Sequence, residues 1–427
     1  MPLFPASCYS ARNGMDAPAQ PALPKAPGGE FIALVALTTS LVAMSIDTML
    51  PALGAMASEL GAASPNDRQL VLSAFFGGMM CGLVIYGPVS DSVGRKPALF
   101  FGIGLFILGN VLCATASSFG MLLAGRALAG FGAASPRVVS IAVVRDAFAG
   151  RGMARVMSFV STIFILVPVL APSIGQAVLA VGSWRVIFQA LVVIAIANVL
   201  WFWLRQPETL PREKRLPFSL RGIARGTVAT FKHPITFGYM VSTGIIFGAF
   251  IAYLSTAQQV FQEQYGAGKL FPVYFGMLAS GIGVASFVNA RLVMRFGMQR
   301  LSRLALLGTS SLSTSAFLGA LALGGHPPLW ALMAYMLPCF FCNGILFGNF
   351  NARAMEPMGH IAGVAAAVTG AVSTLVALAI GTPFGRAYDG TVRPLIAAYM
   401  TCGLLALALT TWAERAAKQR AALETAA

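Results

Sequence analysis

The sequence predicts an all-α membrane protein with twelve transmembrane helices in two six-helix halves. Three observations carry that prediction. Of 427 residues, 57% are hydrophobic and only 10% are charged, against about a quarter charged in an ordinary soluble domain. The apolar residues form runs close to the ~20 needed to cross ~30 Å of hydrocarbon. The cations gather on alternate connections, as they do on cytoplasmic loops.

The runs lie at roughly 31–53, 69–90, 98–117, 119–144, 156–181, 186–204, 236–260, 271–290, 304–324, 329–351, 361–385 and 394–413. With the N-terminus inside, five of the 29 Lys and Arg residues fall on outer loops (Arg68, Arg185, Lys269, Arg386 and Arg393). Arg126 and Arg137 lie within a span, and the other 22 fall on inner loops and tails. Both termini are therefore expected in the cytoplasm. The net charge of +15 is a topology signal and implies a lipid bilayer as partner, with no nucleic acid.

Residues 1–29 are rich in Pro and Ala and lack the apolar centre of a signal peptide, so a disordered cytoplasmic tail is expected. The first half follows over 30–204. Its first span holds Asp47, the one carboxylate clearly inside an apolar run. An Asp at a helix centre costs about 2.5–3.5 kcal/mol to insert, so it should face a polar cavity or a partner. It lies roughly 16 residues into the span, so a place at the outer interface is the alternative.

Between the second and third spans, Gly87 to Pro97 breaks the apolar pattern with two glycines, two prolines, Asp91, Arg95 and Lys96. So short a segment between two spans is expected to be a tight hairpin at the inner surface. The fourth span carries Arg126 about 10 Å from its outer end. The first span runs outward and the fourth inward, which sets Arg126 and Asp47 at similar depth and predicts an ion pair. Pairing favours the ionised carboxylate and burial opposes it, the balance that proton exchange needs.

Arg137 comes eleven residues after Arg126, about 1,100° of helix, and so shares its face. It either lines the cavity or snorkels to the inner surface. Asp146 closes the span and can join Asp91 and Arg95 in an inner charge cluster. The fifth span holds two prolines and a glycine within 167–175, which predicts a bend or a close-packed face.

Residues 205–235, with seven cations and four prolines, form a cytoplasmic linker. The second half spans 236–414, with a short cytoplasmic tail over 415–427. Its hairpin after Asn289 places cations and a glycine where the first half has Gly94-Arg95-Lys96, as expected of repeats related along the membrane normal. Gln258, Asn343 and Asn349 are its polar candidates, as cavity ligands or as helix–helix hydrogen bonds. Cys339 and Cys342 form a C-x-x-C on a helix with no second Cys or His pair nearby, which suits packing better than a metal site. The three histidines (His233, His326, His360) are scattered, so no enzyme, metal or cofactor is expected.

These motifs carry a resemblance. Gly87-x-x-x-Asp91-x-x-Gly94-Arg95-Lys96 resembles the hairpin signature of the major facilitator superfamily, with Ser92 where that family often has a cation. Asp47-Thr-Met-Leu-Pro-Ala-Leu, Arg126-x-x-x-Gly130, Val144-Arg-Asp146, Ala171-Pro-Ser-Ile-Gly175, Ser183-Trp-Arg and Pro207-Glu-Thr-Leu resemble the Bcr/CflA type of drug:proton antiporter. Asn289-x-Arg291 and His360-x-x-Gly363-x-Ala365 extend the likeness into the second half. It covers about 31–413. Two departures stand out: Gln176 where the fifth-helix antiporter motif usually has glycine, and Arg137 where a small residue is usual.

The resemblance implies a major facilitator fold and a site in which Asp47 and Arg126 exchange protons and substrate. It implies an inner gate in which Asp91 meets the start of the eleventh helix near Ile361. The expected function is proton-coupled efflux of small, partly apolar compounds across the inner (plasma) membrane by a monomer. Uptake or export of an endogenous metabolite is the alternative. A potential of ~150 mV supplies about 3.5 kcal/mol per charge moved, enough for a gradient of a few hundredfold.

Overall fold

The computed structural model describes residues 28–426, and every regular element among them is helical. The expected tail lies outside the described residues apart from Gly28 and Gly29, as does Cys8. The first half comprises α1 (Gly29–Asp47), its continuation α2 (Leu53–Glu59), α3 (Leu70–Val93), α4 (Arg95–Ala114), α5 (Phe119–Ala147), α6 (Gly150–Val181) and α7 (Arg185–Arg205). A linker helix, α8 (Leu220–Lys232), precedes the second half: α9 (Pro234–Gln258), α10 (Phe271–Phe296), α11 (Met298–Ala322), α12 (Leu329–Met355), α13 (Ala362–Arg386) and α14 (Arg393–Ala426).

Among the described residues, eleven stretches are long and apolar enough to cross a membrane. One of them, Leu329–Arg386, has 58 residues, about 87 Å of helix and nearly three hydrocarbon thicknesses. A 3-10 segment at Glu356–Ile361 interrupts it, with Met358 at φ −104° and ψ 16°. It therefore crosses twice, and the crossings among the described residues number twelve.

Small residues set the spacing of the first half. A Cβ at Gly130 would overlap the backbone of Phe75 on α3, and one at Gly132 would overlap that of Phe106 on α4. Glycine there lets α5 lie in backbone contact with both neighbours. The first span bends directly after Asp47, where α1 gives way to a 3-10 turn at Leu50–Ala52. Pro51 has no N–H to offer the carbonyl of Asp47 four residues back, so the regular ladder stops there. Gly175 of α6 sits against the carbonyl of Thr48 and the ring of Pro51. The fifth-span motif thus packs on the bend beside Asp47.

The expected hairpin between the second and third spans is shorter than its glycines and prolines suggested. Helix α3 continues through Pro88 to Val93, and the turn is Gly94 alone, at φ 110° and ψ 160°. Its counterpart is Gly297, between α10 and α11, at φ 76° and ψ 155°. Both conformations are readily open only to glycine, and the two halves turn at matching places.

Helix α3 packs along α13, and α6 along α10. The second helix of each half thus meets the fifth of the other, as a twofold relation requires. Two further details differ from expectation. The linker contains α8, which packs against α9 and α13, with Gly226 against Val364 and Thr230 fully buried. Helix α14 continues unbroken past Glu414 to Ala426, so the tail begins as its extension.

Candidate functional site

Arg126 is fully buried on α5 and reaches α1. One guanidinium nitrogen donates to Ser45 Oγ at 3.0 Å and another to the Ser45 carbonyl at 3.1 Å. The guanidinium carbon lies 4.4 Å from the ring centroid of Phe75 and 5.8 Å from that of Phe188. Rings next to a desolvated cation supply part of the solvation it has lost. The close approach at Gly130 holds Phe75 in place, so one small residue of the Arg126-x-x-x-Gly130 pattern positions the partner of the other.

The expected ion pair is not formed. Asp47 is 5% exposed, and among the described residues it accepts no hydrogen bond and joins no salt bridge. Tyr253 on α9 of the opposite half is fully buried, and its hydroxyl has no hydrogen-bond partner. The sequence offered no sign of Tyr253, an aromatic in an apolar run. The 3-10 turn that follows Asp47 packs on α9, which sets Asp47 at the seam between the halves.

Beyond Tyr253 the second half presents aromatic rings. Tyr253 stacks edge-to-face on Phe340 at 4.7 Å and faces Phe275 at 5.6 Å. Phe250 meets Phe340 and Phe347, and Phe247 crosses the seam to Phe76 of α3 at 5.5 Å. Asn343 on α12 is buried with both amide atoms unbonded. An acid, a free phenol, a free amide and several rings together suit a compound with an apolar body and a few polar groups.

Asn349 and Asn289 exchange two hydrogen bonds, at 2.8 and 3.1 Å, tying α10 to α12. Arg137 is exposed and stands apart from the Arg126 cluster. Cys339 and Cys342 are free thiols, and the described residues contain no group of three suited to a metal. Gln258 joins a network across the halves at the Leu70 end of α3.

In that network Arg68 donates to Gln258 Oε1 at 2.7 Å and to Glu263 Oε1 at 2.5 Å. Gln69 donates to Gln259, Gln259 to Asn66, and Arg386 to Asp67, at 2.8 to 3.0 Å. Every partner across the seam is more than a hundred residues away in sequence, so no local pattern could reveal it. The halves are latched at this end.

At the opposite end lies the expected charge cluster. Arg95 is nearly buried and donates to Asp91 Oδ1 at 2.5 Å, Ser90 Oγ at 2.8 Å and Asp146 Oδ2 at 2.8 Å. Glu208, unforeseen as a site residue, accepts from the backbone N–H groups of Arg95 and Lys96, each at 3.0 Å. It thus places a negative charge on the N-terminus of α4. Lys96 donates to the Trp203 carbonyl at 2.9 Å. Gly87 lies within α3, facing Val138 of α5. All these bonds stay within the first half and its linker; among the described residues Asp91 has no hydrogen bond or ion pair with the start of α13.

A model of the Major Facilitator Superfamily matches residues 35–382. The chain is 33% identical over 365 residues to an uncharacterised transporter of that type, YdgK, from Bacillus subtilis (strain 168), covering 85% of this chain and 90% of the relative. It is 28% identical over 378 residues to a bicyclomycin resistance protein homolog from Haemophilus influenzae, covering 88% of this chain and 94% of the relative. Its fold matches the xylose transporter XylE from E. coli in a partially occluded inward-open conformation. That likeness has a TM-score of 0.70 at 14% identity and covers 88% of this chain and 95% of the other.

Proposed function

Because the chain belongs to the major facilitator superfamily, we propose that it is a monomeric proton-coupled exporter of small, partly apolar compounds. It works in the inner (plasma) membrane, with both termini cytoplasmic, by alternating access to a site between its halves. The observation that carries this reading is Asp47: buried, in no salt bridge, and placed where the turn after it packs on α9 of the other half. An acid so placed exchanges a proton at modest cost when substrate or water changes its surroundings. Arg126, held on Ser45, keeps a positive potential nearby and stays in place as the proton comes and goes.

The rings of Phe247, Phe250, Phe340 and Phe347 support an apolar substrate body. The latch at Arg68 supports a resting state closed to the outside and entered from the cytoplasm. Helix α3 then carries its Gly94 end on the cytoplasmic side, with the cation-rich linker. Bicyclomycin, named for the H. influenzae relative, is the first compound to try. Everted vesicles carrying the protein should release protons on addition of substrate and should accumulate it. Accumulation by right-side-out cells in its place would support uptake of a metabolite and overturn export.

A further inference from the structure

A cavity of about 180 Å³ opens between α9, α11 and α14 at the Gly297 end of the second half. It is remote from Asp47 and Arg126. Gln299, Ser302 and Arg303 line it from α11, and Thr410, Arg415 and Lys418 from α14. At about 30 Å³ per water it would hold roughly six waters, or a phosphate group with some of its hydration. Tyr239 and one acid, Glu414, also line it. Glu414 already accepts from Arg353 twice, at 3.0 Å, and from Tyr239 at 2.9 Å, so its charge is committed.

The three cations are not committed. Among the described residues Arg303, Arg415 and Lys418 take part in no hydrogen bond or ion pair. Ser302 is 3% exposed, and its hydroxyl, which lines the cavity, has no partner. A buried donor left unbonded is costly, and three like charges around one space repel unless an anion enters. Apolar residues on the same two helices are exposed: Leu304 on α11, and Leu404, Leu405 and Trp412 on α14. An anion bound here would thus have its acyl chains running along apolar protein surface.

We propose that this cavity binds the phosphate headgroup of an anionic phospholipid from the leaflet on that side, the inner leaflet in the topology above. Basic pockets between transmembrane helices favour such headgroups. Arg303, Arg415 and Lys418 supply the charge, and the Ser302 hydroxyl donates to a phosphate oxygen. The lipid binds the second half alone and does not depend on which compound is carried.

Native mass spectrometry of the full-length protein tests this, with dioleoyl phosphatidylglycerol, dioleoyl phosphatidylcholine and inorganic phosphate titrated separately. The wild type should retain phosphatidylglycerol in preference to phosphatidylcholine. The combined variant Arg303→Gln/Arg415→Gln/Lys418→Gln should bind it about a hundredfold more weakly. Removing three linker cations, as Arg212→Gln/Lys214→Gln/Arg221→Gln, should leave the affinity within about twofold, since they lie outside the cavity. Ser302→Ala, which preserves the charge and the fold, should weaken binding severalfold. Equal retention of the two lipids, or unchanged phosphatidylglycerol binding by the cavity variant, would overturn the proposal. Equal binding of inorganic phosphate would assign the cavity to a soluble anion and overturn the lipid.

Discussion

Arg126 donates to both the hydroxyl and the carbonyl of Ser45, and Asp47, two residues further along the same helix, has no cationic partner. Ser45 and Asp47 are separated by about 200° around α1. A cation on α5 that meets the Ser45 face therefore misses Asp47, which turns to the seam. The separation divides the labour: Arg126 is a fixed charge, and Asp47 is free to exchange.

Asp47→Asn should abolish substrate-induced proton release while leaving exchange of labelled for unlabelled substrate in proteoliposomes. The amide fills the same space, so the thermal midpoint should not fall. Proton release at the wild-type rate would remove Asp47 from the coupling site.

Arg126→Lys tests the fork geometry. One ammonium cannot span the hydroxyl and carbonyl of Ser45 as the guanidinium does, and hydrogen bonds to charged groups contribute about 1.5–3 kcal/mol. Transport should drop at least tenfold, whereas Ser45→Ala, which keeps the carbonyl acceptor, should cost only a few-fold. Initial rates of export against substrate concentration, normalised to expression, decide it. Equal losses in the two variants would mean that the fork is not what matters.

The twelve spans and the Asp91–Arg95–Asp146 cluster were legible because each depends on local pattern: apolar runs of spanning length, and charges crowded into a short break. Depth along a helix was legible too, which is why Asp47 and Arg126 were placed near one another. Rotation about α1 was not, because the bend at Pro51 and the packing of Gly175 on Thr48 set it. The latch was illegible for another reason. Arg68, Gln258 and Glu263 are ordinary polar residues at helix ends, and only tertiary folding brings them together. Helix α8 was illegible because its cations and short length resemble a solvated linker.

Gly175→Leu should be destabilising and inactive together. Its side chain would meet the Thr48 carbonyl and the Pro51 ring, and overpacking of this kind costs about 1–3 kcal/mol. The strain falls on the bend that aims Asp47, so proton release should fall further than the thermal midpoint alone would suggest. A variant with wild-type midpoint and coupling would show that the bend tolerates displacement.

Arg68→Ala should loosen the latch. It removes the bonds to Gln258 and Glu263, and a loss of about 1–2 kcal/mol shifts a two-state population roughly 5- to 30-fold. Spin labels at Ala63 and Lys269, exposed on either side of the seam, should show a longer distance component in the variant. A distance distribution unchanged from wild type would mean that the latch does not hold the halves.

Asp91 and Asp146 both hold Arg95, yet their variants should differ. Asp91 is more exposed, 37% against 16%, and its pair spans one helical turn and the Gly94 turn. Pairs of that kind contribute about 0–1 kcal/mol. Asp91→Asn should therefore barely change the thermal midpoint of the latched state. Asp146→Asn should lower it, because it leaves a nearly buried guanidinium short of an anion, and breaking such a pair is the costly kind of loss. The gate predicts the converse for turnover. In the latched state Asp91 has no hydrogen bond or ion pair with α13, so any bond it forms there belongs to the state in which the Gly94 end closes. Removing it should slow the return to that state, lower turnover and enrich the latched form, with intrinsic substrate affinity preserved. Distances between the labels at Ala63 and Lys269, together with substrate binding in detergent, separate the two effects. If binding collapses while the distances hold, Asp91 belongs to the substrate site and the gating account fails.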